Sequence, residues 1–184
     1  MGPVTLFSKP TLHLYLRTRL DGAIATMQAT PLSSFADCTV QALGETISKR
    51  YGLPLPQVNT KVKEDQRVSL TATGWTVHLR IRTVAEHELL EHQPDELILR
   101  DWPFAILDSD RLQLNWPFHK VATEEEIRQK VQEDLNHLHT YVLAAGRQVD
   151  EYNKAMEDAI QKESASLQKK LEDQDRMRKA LSDL

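Results

Sequence analysis

From Thr123 to Leu184 the chain contains no proline, and apolar residues recur along this stretch at helical spacing. Leu138, Val142, Ala145, Val149, Tyr152, Met156 and Ile160 step by four and three, the pattern of a helix that buries one seam. Thr123-Glu124-Glu125-Glu126 opens it as a capping box, in which the Thr hydroxyl and the third Glu serve each other's backbone donors. The acidic first turn also suits the positive end of the helix dipole. Taken as one helix from Thr123 to Ser182, the segment would run about 90 Å at 1.5 Å per residue. Gly146 and Ser164-Ala165-Ser166 are the expected bends, and beyond Glu163 the seam thins to Leu167, Leu171 and Leu181 among charges. A polar helix of this length needs something to cover its seam. A small sheet domain cannot cover all of it, so the seam is expected to pair with a second copy or with a partner's helix.

The remaining residues, 1–122, read as an α+β domain. Leu12, Leu14 and Leu16 alternate with polar residues over Thr11–Arg19, which predicts a half-buried strand, with Asp21-Gly22 as a turn after it. A helix is predicted from Ser33 or Ser34 to Tyr51, on the spacing of Phe35, Cys38, Ala42, Leu43, Ile47 and Tyr51. Gly52 stands where a C-cap belongs, and Pro54 and Pro56 forbid continuation. Arg67–Ala72 and Trp75–Arg82 alternate around Thr73-Gly74, a hairpin signal. Two shorter strands are predicted at Glu96–Arg100 and Arg111–Trp116, the second preceded by an Asp108-Ser109-Asp110 turn. Trp102-Pro103-Phe104 recurs as Trp116-Pro117-Phe118. Each proline should end or skirt a strand, with its aromatics either capping the core or forming an exposed sticky rim.

Charge is uneven on a chain whose net charge is −4. Residues 1–83 are basic and the rest acidic, so an anionic partner for the first half and mutual attraction of the two halves are both open. The single cysteine, Cys38, excludes an intrachain disulfide and suits a reducing, cytoplasmic setting. Placed on the predicted helix, it is expected to behave as a small buried hydrophobe. No stretch approaches the roughly 18–20 apolar residues that span a bilayer, and no secretory leader opens the chain. The missing C-cap signal at the far end fits the N-terminal part of a longer protein.

His87-Glu88-Leu89-Leu90-Glu91-His92 places two histidines five apart, about 140° from each other on a regular helix. This spacing misses the common zinc-helix pattern, in which both rings share one face. It resembles the His-Glu-x-x-x-His motif of dipeptidyl peptidase III. That resemblance implies His87 and His92 as zinc ligands, Glu88 as base, and Glu126 of Glu125-Glu126-Ile127-Arg128 as a further ligand. It covers only these two short strings, and Glu126 is already accounted for by the capping box. His137 and His139 diverge on the long helix. Phosphate loops and nucleophile elbows are absent from the sequence, and no cofactor is expected.

Polar strand faces offer a binding reading. Ser69 and Thr71 should face His78, Arg80 and Arg82, while Arg17 and Arg19 decorate the first strand. Such a surface could track a phosphate backbone. The expected fold is α+β: an antiparallel sheet of about four to five strands with helix 33–51 on its apolar face, then a long coiled-coil-like helix. The expected partition is 1–122 for the globular domain and 123–184 for the helix. The expected function is a non-enzymatic interaction and oligomerisation module, dimeric through the helix and recognising a partner with the sheet. A nucleic-acid-associated subunit is the alternative, and a zinc hydrolase a distant third.

Overall fold

The hairpin around Thr73-Gly74 forms, and it is longer than its alternation suggested. In the computed structural model, which describes residues 2–9, 11–36, 38–95, 97, 100–108 and 110–182, β2 (Gln57–Leu70) pairs antiparallel with β3 (Gly74–Val84). A glycine is required at position 74, because a Cβ there would collide with the Phe118 carbonyl oxygen of the next strand. That strand is β5 (Arg111–His119), which pairs with β4 (Phe104–Asp108). β1 (Gly2–Val4), which the sequence pattern did not suggest, closes the other side. Among the described residues the sheet has five strands, all antiparallel, in the order β1-β4-β5-β3-β2. The two prolines of the repeated motif behave differently. Pro103 immediately precedes β4 as expected, whereas Pro117 lies inside β5, past the end of β4, where that side of the strand has no neighbour.

Residues Leu12 to Gln28 form helix α1, not a strand. Leu12 and Leu16 lie four apart and are buried with Ala23 and Met27, while Leu14 is exposed. The run of leucines fits both periods over so short a window, and the later apolar positions settle it as helical. Asp21-Gly22 is therefore inside a helix. The expected helix from Ser33 begins instead as a 3-10 turn at Leu32–Ala36. Helix α2 then runs from Val40 to Tyr51, with Thr39 as its N-cap accepting from the Ala42 N–H at 3.1 Å. Cys38 falls just outside the helix and is exposed, so the expectation of a buried thiol is corrected. Gly52 does cap α2, but with φ −62°; it is needed because a Cβ would press within 2.6 Å of the Ser48 carbonyl oxygen. A short α3 spans His87–Glu91. The expected strand at 96–100 falls largely on Glu96, Ile98 and Leu99, which lie outside the described residues, as does Ser109 of the expected turn.

Helix α4 runs unbroken from Glu124 to Ser182; neither Gly146 nor the Ser164-Ala165-Ser166 patch interrupts it. The capping box forms as read. The Thr123 N–H donates to Glu126 Oε2 at 2.7 Å and the Glu126 N–H to Thr123 Oγ1 at 3.3 Å. The Thr123 N–H, together with the Thr123 hydroxyl that donates to Glu126 Oε2 at 2.9 Å, holds the Glu126 carboxyl below its ordinary value.

The chain divides into two compact units: Met1–Tyr15 with Pro54–Asp150, and Leu16–Leu53 with Glu151–Leu184. These do not coincide with a partition at residue 122, because α4 contributes to both. In the first unit the inner face of the sheet (Val77, Leu79, Ile81, Leu112, Leu114, Trp116) is covered by Leu135, Leu138, Tyr141 and Val142 of α4. Within this unit the helix on the sheet is thus α4, while the segment 33–51, expected there, belongs to the core of the second unit. Phe7, at a left-handed φ of 49°, is held between Trp102 and Tyr141 at centroid distances of 5.3 and 5.0 Å. In the second unit, Ala23 and Met27 of α1 pack with Val40 and Ile47 of α2 and Leu167 of α4. Tyr152 donates to the Tyr51 carbonyl at 2.7 Å, and Asn153 brackets the backbone of Leu53 at 2.9 and 3.2 Å.

Asp134 pins α4 to the sheet. It is 2% exposed and accepts from Trp116 Nε1 at 2.9 Å, Arg100 at 2.9 Å and Lys130 at 3.0 Å. A buried carboxylate is tolerated because these donors compensate its lost hydration. Removing it strands the Arg100 charge and the indole N–H. Asp134→Ala is expected to lower stability by about 3 kcal/mol. Lys130→Ala removes a partner that is largely solvated, and should cost less than about 1 kcal/mol. Urea unfolding of both variants checks this contrast; equal losses would refute it.

Candidate functional site

Two surfaces of the sheet in the first unit bear on recognition: the outer face, and the edge along β2. On the outer face, cross-strand neighbours form rows. Arg67, His78, Asn115 and Phe104 make one row, and Asp65, Arg80, Gln113 and Ile106 the next. His78 accepts or donates at both ring nitrogens, with Nε2 2.9 Å from Ser69 Oγ and Nδ1 2.6 Å from Asn115 Oδ1. Asn115 Nδ2 donates to the Phe104 carbonyl at 3.2 Å, which fixes its Oδ1 as the acceptor and places the imidazole proton on Nδ1. Gln113 joins through Asn115 Oδ1 at 3.1 Å, and Arg80 through Gln113 Oε1 at 3.3 Å. The order hydroxyl, imidazole, amide is that of an acyl-transfer relay. Here, however, the members are neighbours across paired strands, Ser69 exposed, His78 half-buried and Asn115 buried, the setting of an ordinary polar ladder.

One further node is electrostatic. Glu64 bridges Arg82 and Arg111, the latter at 2.7 Å, and Asp65 pairs with Arg67 at 3.0 Å. The face is therefore more nearly neutral than its arginines suggest. Phe104 is 57% exposed on this face.

The edge is set by β2 standing last in the strand order. Its register breaks between Val58 and Lys63 and again between Lys63 and Asp65, then runs regularly to Leu70. Irregularity of this kind protects an edge from unwanted pairing, and the stretch from Gln66 to Leu70 lacks it. The Thr71 N–H donates to the Gly74 carbonyl at 2.7 Å, closing the turn. Alternation then directs the backbone groups of Ser69 and Arg67 toward β3, and those of Leu70, Val68 and Gln66 outward. The same three residues lie on the inner side of the sheet, since Val68 pairs with the core residue Val77. Val68 and Leu70 are 58% and 61% exposed. Between Gln66 and Val68 on one side and α4 on the other lies a groove of roughly 390 Å³, lined also by Val77, Ile127, Val131, Glu124 and Arg128.

Sequence-derived candidates are dispersed. Leu138 and Val142 of the expected helix interface are in the sheet core. Ala145, Val149, Tyr152 and Met156 are buried within the chain, and Ile160 packs in the helical unit. The seam is thus an internal one, a correction to its reading as a dimer surface. Arg17 and Arg19 lie on α1 in the second unit, where Arg19 donates to the Tyr51 carbonyl at 3.3 Å, and His78, Arg80 and Arg82 lie on the sheet of the first. His87 is bonded to the Pro3 carbonyl at 2.9 Å, His92 stacks on Tyr15 at 4.5 Å and Glu126 caps α4. Among the described residues no group of three His, Cys, Asp or Glu could hold a metal ion. No helix among them is long and apolar enough to cross a membrane. Sequence reasoning missed Glu64, Asn115 and the open edge, whereas exposed Phe104 fits the rim that its motif offered as one alternative. Strict alternation upstream of Arg67 would put Glu64 on the Val68 side, and only the register shift between Lys63 and Asp65 brings it to Arg82 and Arg111; edge position depends on strand order and leaves no local signal.

No family model matches the sequence, and no curated protein or solved structure matches it.

The two arginines hold the Glu64 carboxyl below its ordinary value, Arg82 contributing most. Its contribution to stability is accordingly full above the ordinary carboxylate range and is lost as pH falls through the depressed value. Glu64→Gln should flatten part of the acid limb of a stability-versus-pH curve and leave the neutral-to-basic limb unchanged in shape. An unchanged acid limb would contradict the bridge.

Proposed function

We propose that this chain is a non-enzymatic protein-interaction module that recognises an extended segment by strand addition to the free edge of β2. The observation that carries this reading is the coincidence at Gln66, Val68 and Leu70 of outward backbone groups and inner-face side chains, two of them exposed and apolar. An added strand would take its affinity from the main-chain bonds. Its alternate apolar side chains would enter the groove floored by Ile127 and Val131, which supplies specificity. Helix α4 contributes by building that floor through Ile127 and Val131.

A second reading has one observation in its favour: Phe104 lies exposed on the same face as Arg80 and Arg82. An aromatic beside arginines is the kind of platform on which single-stranded nucleic acid stacks. It is ranked lower because Glu64 and Asp65 offset half of the charge of Arg67, Arg80, Arg82 and Arg111.

A labelled synthetic peptide with the sequence of residues 61–72 serves as a strand probe. Binding measured by fluorescence anisotropy is expected, and Val68→Lys in the protein should weaken it by about tenfold, the loss of one apolar contact of about 1.4 kcal/mol. Equal binding of a sequence-scrambled peptide would refute strand addition. In the same format a single-stranded oligonucleotide is expected not to bind appreciably at low salt. Salt-sensitive binding abolished by Arg80→Ala would install the second reading instead.

A further inference from the structure

We infer that the strand that covers the β2 edge is β2 of a second copy of this chain, antiparallel about a twofold axis through Val68 and perpendicular to the sheet. The inference rests on the free edge being the recognition surface, and it names the occupant. A strand fit for this edge must carry its apolar side chains on the residues whose backbone groups point outward, because paired residues lie on the same side of a sheet. β2 has this property itself: Gln66, Val68 and Leu70 both point their backbone groups outward and lie on the inner side. The set is also symmetric about its middle member. With the axis at Val68, that residue pairs with Val68 of the second copy and Leu70 with Gln66 of the second copy. Every outward N–H and C=O of the three residues then finds a partner.

Other registers fail for stated reasons. An axis at Arg67 sets that guanidinium opposite its own copy, and like charges directly opposite are destabilising. An axis at Gln66 draws in the stretch around Lys63, where the register of β2 is already broken. An axis at Ser69 requires Ala72, which belongs to the turn closed by Thr71 and Gly74. At Val68 the outer row sets Arg67 against Ser69 of the second copy and Asp65 against Thr71, with no like charges opposed. The axis leaves α4 of both copies on one side of a continuous sheet. Val68 and Leu70 of each copy then lie over the groove floored by Ile127 and Val131 of the other.

The test combines solution mass and register-specific crosslinking of the full chain. Light scattering across a concentration series is expected to give a species of twice 21.1 kDa, reduced to the monomer by Val68→Lys and by Leu70→Lys with unchanged circular dichroism. Val68→Cys, in a Cys38→Ser background because Cys38 is exposed, should form an intermolecular disulfide under mild oxidation. The two Cα atoms would be about 5.5 Å apart, inside the range a disulfide bridges. Thr73→Cys should not crosslink, since five residues on each strand separate it from the axis and place the pair about 34 Å apart. A monomer at all concentrations, a dimer indifferent to both lysine variants, or equal crosslinking at Thr73 would overturn the inference. If the chain is monomeric yet still binds the residue 61–72 peptide, only the second copy is eliminated; if it binds neither, strand addition is refuted as well.

Discussion

Asp134 is the constraint on which the sheet unit depends. Its carboxylate takes the Trp116 indole from the sheet, Arg100 from the segment before β4, and Lys130 from its own helix. A carboxylate this deeply buried is tolerable only with its donors in place, so the contact fixes both the depth and the rotation of α4 on the sheet. The orientation that satisfies Asp134 also turns Leu135, Leu138, Tyr141 and Val142 inward. One polar contact thereby selects which stripe of a long helix becomes core.

That selection relocates the surface available for association. The heptad seam is consumed inside the chain, and a residue already buried there cannot also serve a partner without unfolding the packing. What the helix leaves uncovered is the margin of the sheet at β2, where Ile127 and Val131 pass beside the edge. The upstream part of this strand is irregular and the downstream part is regular, apolar and exposed. Natural edges usually carry some defence along their length. An edge guarded over one half and left open over the other fits a surface reserved for a particular strand.

Much of the fold was legible, unevenly and for identifiable reasons. The capping box at Thr123 and the hairpin turn at Gly74 are local devices, and both form as read. The segment at Leu12 misled because Leu12, Leu14 and Leu16 satisfy a period of two within a window too short to exclude a helix. Only Ala23 and Met27, further along, reveal the four-residue spacing. The seam was recognised correctly as a buried stripe, but periodicity states that a face is covered and not by what. Asp134 and Glu64 were invisible as partners, since their importance comes from residues far away in sequence. The candidate site on the outer face was half legible: His78, Arg80 and Ser69 were placed on one face by alternation, while Asn115 and Phe104 come from strands whose order no local pattern encodes.

The central claim is that the outward amides of β2 belong to an intermolecular ladder, and residue-resolved hydrogen exchange addresses it directly. The amides to compare are Gln66, Val68 and Leu70 against their neighbours Arg67 and Ser69, in the native chain and in Val68→Lys. The expected result is slow exchange at all of them in the native chain, with selective loss of protection at 66, 68 and 70 in the variant while 67 and 69 stay slow. Fast exchange at 66, 68 and 70 in both proteins, or a change shared equally by all five positions, would contradict it.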